Sequence, residues 1–95
     1  LERVARAFET SLSRLLPQLS EAGQQQDLAT VAHVAHTLKS SSASIGALKL
    51  SQMCADLESI IRRQTGEDLS SRIRDIPLEA ERVQAGLQHV LETQS

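Results

Sequence analysis

Apolar residues recur at steps of three and four residues in four separate stretches of the chain, and this spacing is the strongest constraint on its fold. The last stretch is the most regular, because its apolar residues stay in phase from Leu69 to Val90. Stripes of this kind predict amphipathic helices, which we expect at about residues 2–22, 27–44, 47–64 and 68–93. With short connections between them, the predicted fold class is all-α, an antiparallel four-helix bundle.

Two prolines fall inside these stripes and predict irregular helices. Proline removes one backbone donor and clashes with the carbonyl four residues earlier. We therefore expect Pro17 to kink or break the first helix near residues 14–16. We expect Pro77 to break the fourth helix, with a short helix ending at about Asp75 and a longer one beginning near the proline.

The connections between the helices carry their own signals. Gly23 is the expected end of the first helix, and the polar run Gln24–Gln26 follows as a loop. Asp27 is a good N-cap for the second helix. Gly46 permits a tight reversal into the third helix, which should pack antiparallel against the second.

Composition limits the size of the core and the kind of partner. The 95 residues make one domain, 1–95, and Phe8 is the only aromatic residue, so the core must be built from Leu, Ile, Val and Ala. Ten basic and twelve acidic residues give a net charge of -2 without a basic run, so no nucleic-acid partner is expected. The single cysteine, Cys54, excludes an internal disulfide, fits a reducing compartment and falls on an apolar stripe, where we expect it to be buried.

The chain shows no signal for insertion into a membrane. No apolar run approaches the roughly 20 residues that span a bilayer, and no charged leader precedes an apolar segment. The sequence opens on Leu1 rather than methionine, which suggests a piece excised from a longer protein.

One histidine stands out on the second predicted helix. The apolar or small residues of that helix form one stripe, made of Val31, Ala32, Ala35, Leu38, Ser42 and Ile45. At about 100° per residue, His36 lies on the shoulder of this stripe, where one side of its ring is held and the other is open to water. Lys39, three residues later, places a cation on the same face, which disfavours imidazolium and would attract a phosphoryl group. This arrangement suits phosphorylation of a histidine.

A longer pattern surrounds His36. It consists of Ala35-His36-Thr37-Leu38-Lys39, the small residues Ser40 to Ser44, Ile45-Gly46-Ala47, Leu50, Cys54 and Leu57-Glu58. The pattern resembles the histidine-containing phosphotransfer (HPt) domain. The resemblance is close over about residues 27–58 and elsewhere rests on helix pattern and length.

The resemblance implies a role for each matched residue. In that family, the histidine aligned with His36 accepts a phosphoryl group from a receiver-domain aspartate and passes it to another. Lys39 matches the family's lysine, Gly46 the glycine of the turn, and Glu58 a Gln or Glu that hydrogen-bonds the histidine ring. The family usually has glycine where this chain has Ser40, and a hydroxymethyl group there would crowd or hydrogen-bond the phosphoryl group. This departure puts the transfer rate, more than the fold, in doubt.

Helix geometry bears on the match of Glu58. His36 lies about nine residues before the turn and Glu58 about twelve after it, a mismatch of roughly 5 Å at 1.5 Å per residue. Helical side chains lean toward their own N-terminus, which brings the two within reach of each other. A carboxylate that accepts from Nδ1–H would leave Nε2 as the attacking atom. The alternative for Glu58 is an ion pair with Arg62, its i+4 neighbour.

The resemblance also implies partners and setting. We expect a monomeric phosphocarrier without turnover of its own, which binds response-regulator receiver domains and belongs to a hybrid sensor histidine kinase. Mg²⁺ would reside in the receiver, so no cofactor or metal is expected in this domain. The expected location is the cytoplasm, including the cytosolic part of a membrane-bound kinase. The docking face is expected around His36 and on the helix before it, with contributions from Ala29, Ala32, His33, Lys39, Ser40 and Ala43.

Two other functions stay open. A metal site would use His33 and His36, three residues apart, with Glu58, although no familiar motif such as H-E-x-x-H is present. A non-catalytic docking bundle would keep the fold and bind a receiver or another protein without carrying phosphate. Ser40 is the main support for the docking bundle.

Overall fold

The computed structural model describes residues 2–94 and consists of four α-helices. In chain order these are α1 (Glu2–Gln24), α2 (Leu28–Ser44), α3 (Leu48–Arg63) and α4 (Ser70–Gln94). Each helix packs against its neighbours in the sequence, and α4 also packs against α1, so the ring of helices closes. The predicted all-α four-helix bundle is confirmed, and no strand occurs between residues 2 and 94.

Aliphatic side chains fill the centre of the bundle. Phe8, the only aromatic residue of the chain, is 3% exposed. The buried cluster around it comprises Leu12, Leu15, Leu19, Ala22, Val31, Val34, Ala35, Leu38, Leu50, Cys54, Leu57, Ile60, Leu69, Ile76 and Ala80. Burying each large aliphatic side chain contributes about 1.5–3 kcal/mol. This core fixes α2 and α3 against each other and thereby sets the positions of their exposed residues.

Both helices that contain a proline run through it without a break, so the break predicted at Pro77 is wrong, and of the kink or break predicted at Pro17 the break does not occur. Proline inside a helix costs about 3 kcal/mol. Leu15 and Leu19 are buried on either side of Pro17, as Ile76 is beside Pro77. A break would rotate one half of each stripe away from the core, and the burial that this would forfeit outweighs the lost hydrogen bond.

The first helix ends one residue after Gly23, which the sequence marked as its end. A Cβ at Gly23 would lie 3.2 Å from Cδ1 of Ile73, so this glycine permits close packing of α1 on α4. In the connection that follows α1, the residue with a left-handed backbone conformation is Gln26, whose φ is 57°. Beyond it, the amide of Asp27 donates to the carbonyl of Ala22 at 2.9 Å and closes the helix end.

Asp27 caps α2, as predicted. Its Oδ1 accepts from the amide of Thr30 at 3.3 Å, and its Oδ2 accepts from the Thr30 hydroxyl at 2.6 Å. These bonds from Thr30 hold the pKa of Asp27 below its usual value. The cap fixes where α2 begins and therefore which direction each of its side chains faces.

Gly46 makes the reversal between α2 and α3, as predicted. Its φ is 82°, in the left-handed region, and its amide donates to the carbonyl of Ala43 at 3.1 Å. The next amide, of Ala47, donates to the carbonyl of Ser42 at 2.8 Å. The pair of bonds satisfies the last carbonyls of α2 and turns the chain back along it.

Gly46→Ala tests how much this turn depends on the left-handed backbone. We expect it to lower the free energy of unfolding by about 1–2 kcal/mol, the cost of a left-handed conformation for a residue with a Cβ. An added Cβ would meet no atom within 4 Å, so a steric clash does not contribute. Urea denaturation followed by circular dichroism measures the change.

Gly86→Ala is the matched control, because Gly86 lies inside α4 and an added Cβ there also meets nothing within 4 Å. Alanine should stabilise that helix by about 0.5–1 kcal/mol. A Gly46→Ala protein as stable as the parent would contradict the role assigned to the turn.

Candidate functional site

His36 lies on the shoulder of α2 with 55% of its side chain exposed. Its neighbours Ala35 and Leu38 are fully buried and hold the helix against the core. Nδ1 of His36 lies 2.9 Å from Oε2 of Glu58, which comes from α3. The ring is thus fixed through one nitrogen while much of its surface faces solvent.

Glu58 is a buried carboxylate, 5% exposed, that binds three side chains. Oε1 accepts from Nζ of Lys39 at 2.8 Å. Oε2 accepts from His36 and also from Arg62, whose Nε and Nη2 lie 3.1 and 2.8 Å away. Because a buried charge is stable only when it is paired and hydrogen-bonded, these partners explain how the bundle holds a carboxylate at this depth.

The same partners keep Glu58 ionised. The hydrogen bond from Lys39 is the largest influence and lowers the pKa of Glu58 to about 2, with further lowering from Arg62 and His36, whereas burial acts in the opposite direction. An ionised carboxylate can only accept, so Nδ1 of His36 carries the proton of this hydrogen bond. The neutral ring then has its lone pair on Nε2, the atom needed for nucleophilic attack.

The α2–α3 hairpin brings His36, Lys39 and Glu58 together. A further bond across it, from Oγ of Ser51 to the carbonyl of Lys39 at 3.0 Å, joins the two helices beside the site. The contact between His36 and Glu58 agrees with the register estimated from the sequence. The chemical roles of the three residues remain predictions.

The structure exposes most of the residues expected to dock a partner. Ala29, His33, Ser40 and Ala43 are exposed along α2. Ala32 differs, because it is only 9% exposed and offers little surface. It faces the core on the stripe that also buries Val31 and Ala35, so its small side chain serves helix packing more than docking.

Arg62 is the residue whose part in the site the sequence left open. The i+4 spacing predicts it only as an alternative partner of Glu58, whereas the structure shows His36 and Arg62 on the same oxygen. The signal was the i+4 spacing of Glu58 and Arg62 on α3. Together with Lys39 and Arg63, Arg62 lines a shallow depression beside the buried carboxylate.

A larger groove than this depression lies elsewhere, at the end of the bundle where α1 meets α2 and α3 meets α4. Gly23, Leu28, Ile73 and Pro77 are among its lining residues. None of the predicted site residues lines it. The candidate site is therefore His36 with the charged side chains bonded around Glu58, and not this larger groove.

The metal site considered from the sequence is not formed. Among the residues that the structure describes, no three His, Cys, Asp or Glu side chains come close enough to hold a metal ion. Cys54 is fully buried, and burial raises the pKa of its thiol to about 12, so it is a core residue. Within residues 2–94, no helix combines the length and the apolar character needed to cross a bilayer.

Fold and site together define a helical bundle that presents one histidine, with its Nδ1 held by a carboxylate and two cations beside it. The family model of the Hpt domain matches residues 3–92, nearly the whole chain, and the chain belongs to this family. Hpt domains are phosphocarriers of two-component phosphorelays and interact with receiver domains. No match was found among curated proteins or among solved structures.

The pH dependence of stability tests the environment of Glu58. Its folded pKa of about 2 lies below the ordinary 4.5, so the ionised group stabilises the fold above pH 4.5, and this contribution is lost as the pH falls toward 2. We expect the free energy of unfolding to decrease over this range less steeply in Glu58→Gln than in the parent. Urea denaturation at several pH values measures both profiles.

The comparison isolates Glu58 because the other carboxyls with lowered pKa, those of Asp27, Asp68 and Glu79, are present in both proteins. Parallel profiles for parent and variant between pH 5 and pH 2 would show that Glu58 is not held in its ionised form by the fold.

Proposed function

We propose that this Hpt domain is a phosphorelay intermediate that accepts a phosphoryl group on His36 from a receiver aspartate and passes it to another receiver. The observation that carries the proposal is the 2.9 Å bond between Nδ1 of His36 and the ionised Glu58. It supports a ring with a single reactive nitrogen, Nε2, on a half-exposed side chain.

The proposed transfer is an in-line displacement at phosphorus. The lone pair of Nε2 forms the N–P bond while the P–O bond to the receiver aspartate breaks, and the electrons of that bond leave with the aspartate carboxylate. The proton on Nδ1 stays in its hydrogen bond to Glu58 throughout. The reverse sequence, with a second receiver aspartate as nucleophile, returns His36 to its starting state.

Lys39 and Glu58 have supporting roles in this proposal. Glu58 selects the tautomer and restrains the ring, which reduces the freedom that must be lost before attack. Lys39 places a cation beside the reacting histidine. Mg²⁺ is proposed to belong to the receiver, so this domain contributes a nucleophile and a docking face and has no turnover alone.

The docking face is proposed to be the exposed side of α2 around His36, together with α1. Ala29 and Ala43 are small and exposed, so they let a partner approach the ring closely. His33 and Ser40 flank His36 one turn away on either side. The parent protein is proposed to be a cytoplasmic or membrane-bound hybrid sensor kinase, and the domain is proposed to act as a monomer.

His36→Gln tests the proposal directly. After incubation with a phosphorylated receiver, the parent domain should carry acid-labile phosphate that maps to His36, and the variant should carry none because it lacks the nucleophile. His89→Gln is the matched control, since His89 is exposed on α4, outside the proposed docking face, and its loss should leave labelling intact.

Equal labelling of the parent and His36→Gln would refute the proposal. A parent that binds receivers measurably but is labelled by none would favour the docking bundle without phosphate. In that case Ser40, which stands where the family usually has glycine, is the first residue to replace.

Ser40→Gly tests the effect of the hydroxymethyl group beside the phosphoryl site. Ser40 is exposed one turn after His36, and its carbonyl accepts from Oγ of Ser44 at 3.0 Å. We expect the transfer rate from a phosphorylated receiver to rise about two- to tenfold, because removing the side chain opens the approach to Nε2. Rapid-quench kinetics measures this rate.

Ser40→Ala separates crowding from helix flexibility, since alanine removes the hydroxyl and keeps high helix propensity. It should give a rate between those of the parent and Ser40→Gly. A rate for Ser40→Gly equal to or below that of the parent would show that Ser40 does not impede transfer.

A further inference from the structure

The charges at the site show that Lys39 alone cannot supply a net positive charge to it. Nζ of Lys39 lies 2.8 Å from Oε1 of Glu58, a buried and ionised carboxylate. Each of these groups offsets the charge of the other, so the pair is neutral overall. A transferring phosphoryl group, with negative charge on its oxygens, would gain little from a neutral pair.

Arg62 adds the second cation, so the group of Lys39, Arg62 and Glu58 has one net positive charge. Its guanidinium donates through both Nε and Nη2 to Oε2 of Glu58, the same oxygen that accepts from His36. The cation is therefore linked to the histidine ring through one shared atom.

The exposure of Arg62 leaves it able to bind a second anion. Its side chain is 66% exposed, whereas that of Glu58 is 7% exposed. A guanidinium has five N–H donors in one plane, and Glu58 occupies only two of them. The remaining N–H groups can donate to phosphoryl oxygens, because a guanidinium forms parallel hydrogen bonds with a phosphoryl group.

We propose that Arg62 is a phosphoryl-binding residue of this domain, which supplies the net positive charge of the site and donates to the phosphoryl oxygens during transfer to Nε2 of His36. The proposal rests on the phosphorelay function proposed above. Glu58 holds the guanidinium beside the ring before the phosphoryl group arrives. The bonds made and broken at phosphorus are those already described, and Arg62 adds only hydrogen bonds to them.

Arg63 provides a matched control within the same depression. Its Nε donates to the carbonyl of Ser59 at 3.4 Å on its own helix, away from Oε2 of Glu58. It has the same charge as Arg62 and is the next residue in the chain. If the transfer rate depends on where the cation lies and not only on the net charge, substitution of Arg62 and substitution of Arg63 will change the rate by different amounts.

The experiment compares Arg62→Gln, Arg62→Lys and Arg63→Gln with the parent domain. The rate of phosphoryl transfer from a phosphorylated receiver is measured by rapid quench at fixed ionic strength, and receiver binding is measured separately with the unphosphorylated receiver. We expect Arg62→Gln to lose about tenfold or more in transfer rate, as for removal of a charged hydrogen bond. Arg62→Lys, which keeps the charge but not the planar set of donors, should recover only part of the loss, and Arg63→Gln should stay within about twofold of the parent.

Each outcome has a separate meaning. Transfer by all three variants within twofold of the parent would overturn the proposal, as would equal losses in Arg62→Gln and Arg63→Gln, which indicate general attraction between charged surfaces. A loss in Arg62→Gln that is matched by weaker receiver binding would also overturn it, since Arg62 would then be a docking residue. Thermal unfolding of each variant checks that the bundle is intact. Absence of label on the parent domain would instead count against the phosphorelay function itself.

Discussion

The buried carboxylate of Glu58 is the constraint on which the rest of the site depends. Glu58 is only 5% exposed, and burying a carboxylate is unfavourable unless its oxygens accept hydrogen bonds. In this chain the donors come from two helices. His36 and Lys39 approach from α2, and Arg62 from the next turn of α3. If one helix slid along the other, the carboxylate would lose its donors and stay buried. The hydrogen bonds to Glu58 therefore help to fix the register of α2 and α3.

The aliphatic core makes this arrangement possible. With one aromatic residue in the chain, the helices pack through Leu, Val, Ala and small polar side chains, and α2 presents Ala35 and Ser42 to the interior. Small residues at the interface let α2 and α3 lie close enough for side chains to bond across them. The turn at Gly46 then sets how residues of the two helices are paired.

The sequence predicted the architecture well because apolar spacing reports burial directly. It was wrong about a break at Pro77, where the local penalty of proline is outweighed by the burial of Ile76 and Ala80 on the two sides of it, and α1 likewise continues through Pro17. For Glu58 it offered His36 or Arg62 as partner. Both bind it, because one carboxylate oxygen can accept from more than one donor. That sharing depends on three-dimensional geometry and has no separate signal in the spacing of residues.

All the hydrogen bonds that join His36, Lys39, Glu58 and Arg62 run within the α2–α3 hairpin. The helices α1 and α4 contribute apolar side chains that bury the core. The His36 ring and the charged side chains around it come from the hairpin. The two tasks can therefore diverge separately in evolution. On the proposed docking face, which includes α1, surface substitutions on α1 would change which receiver binds, while the hairpin and the transfer proposed at His36 would be inherited unchanged.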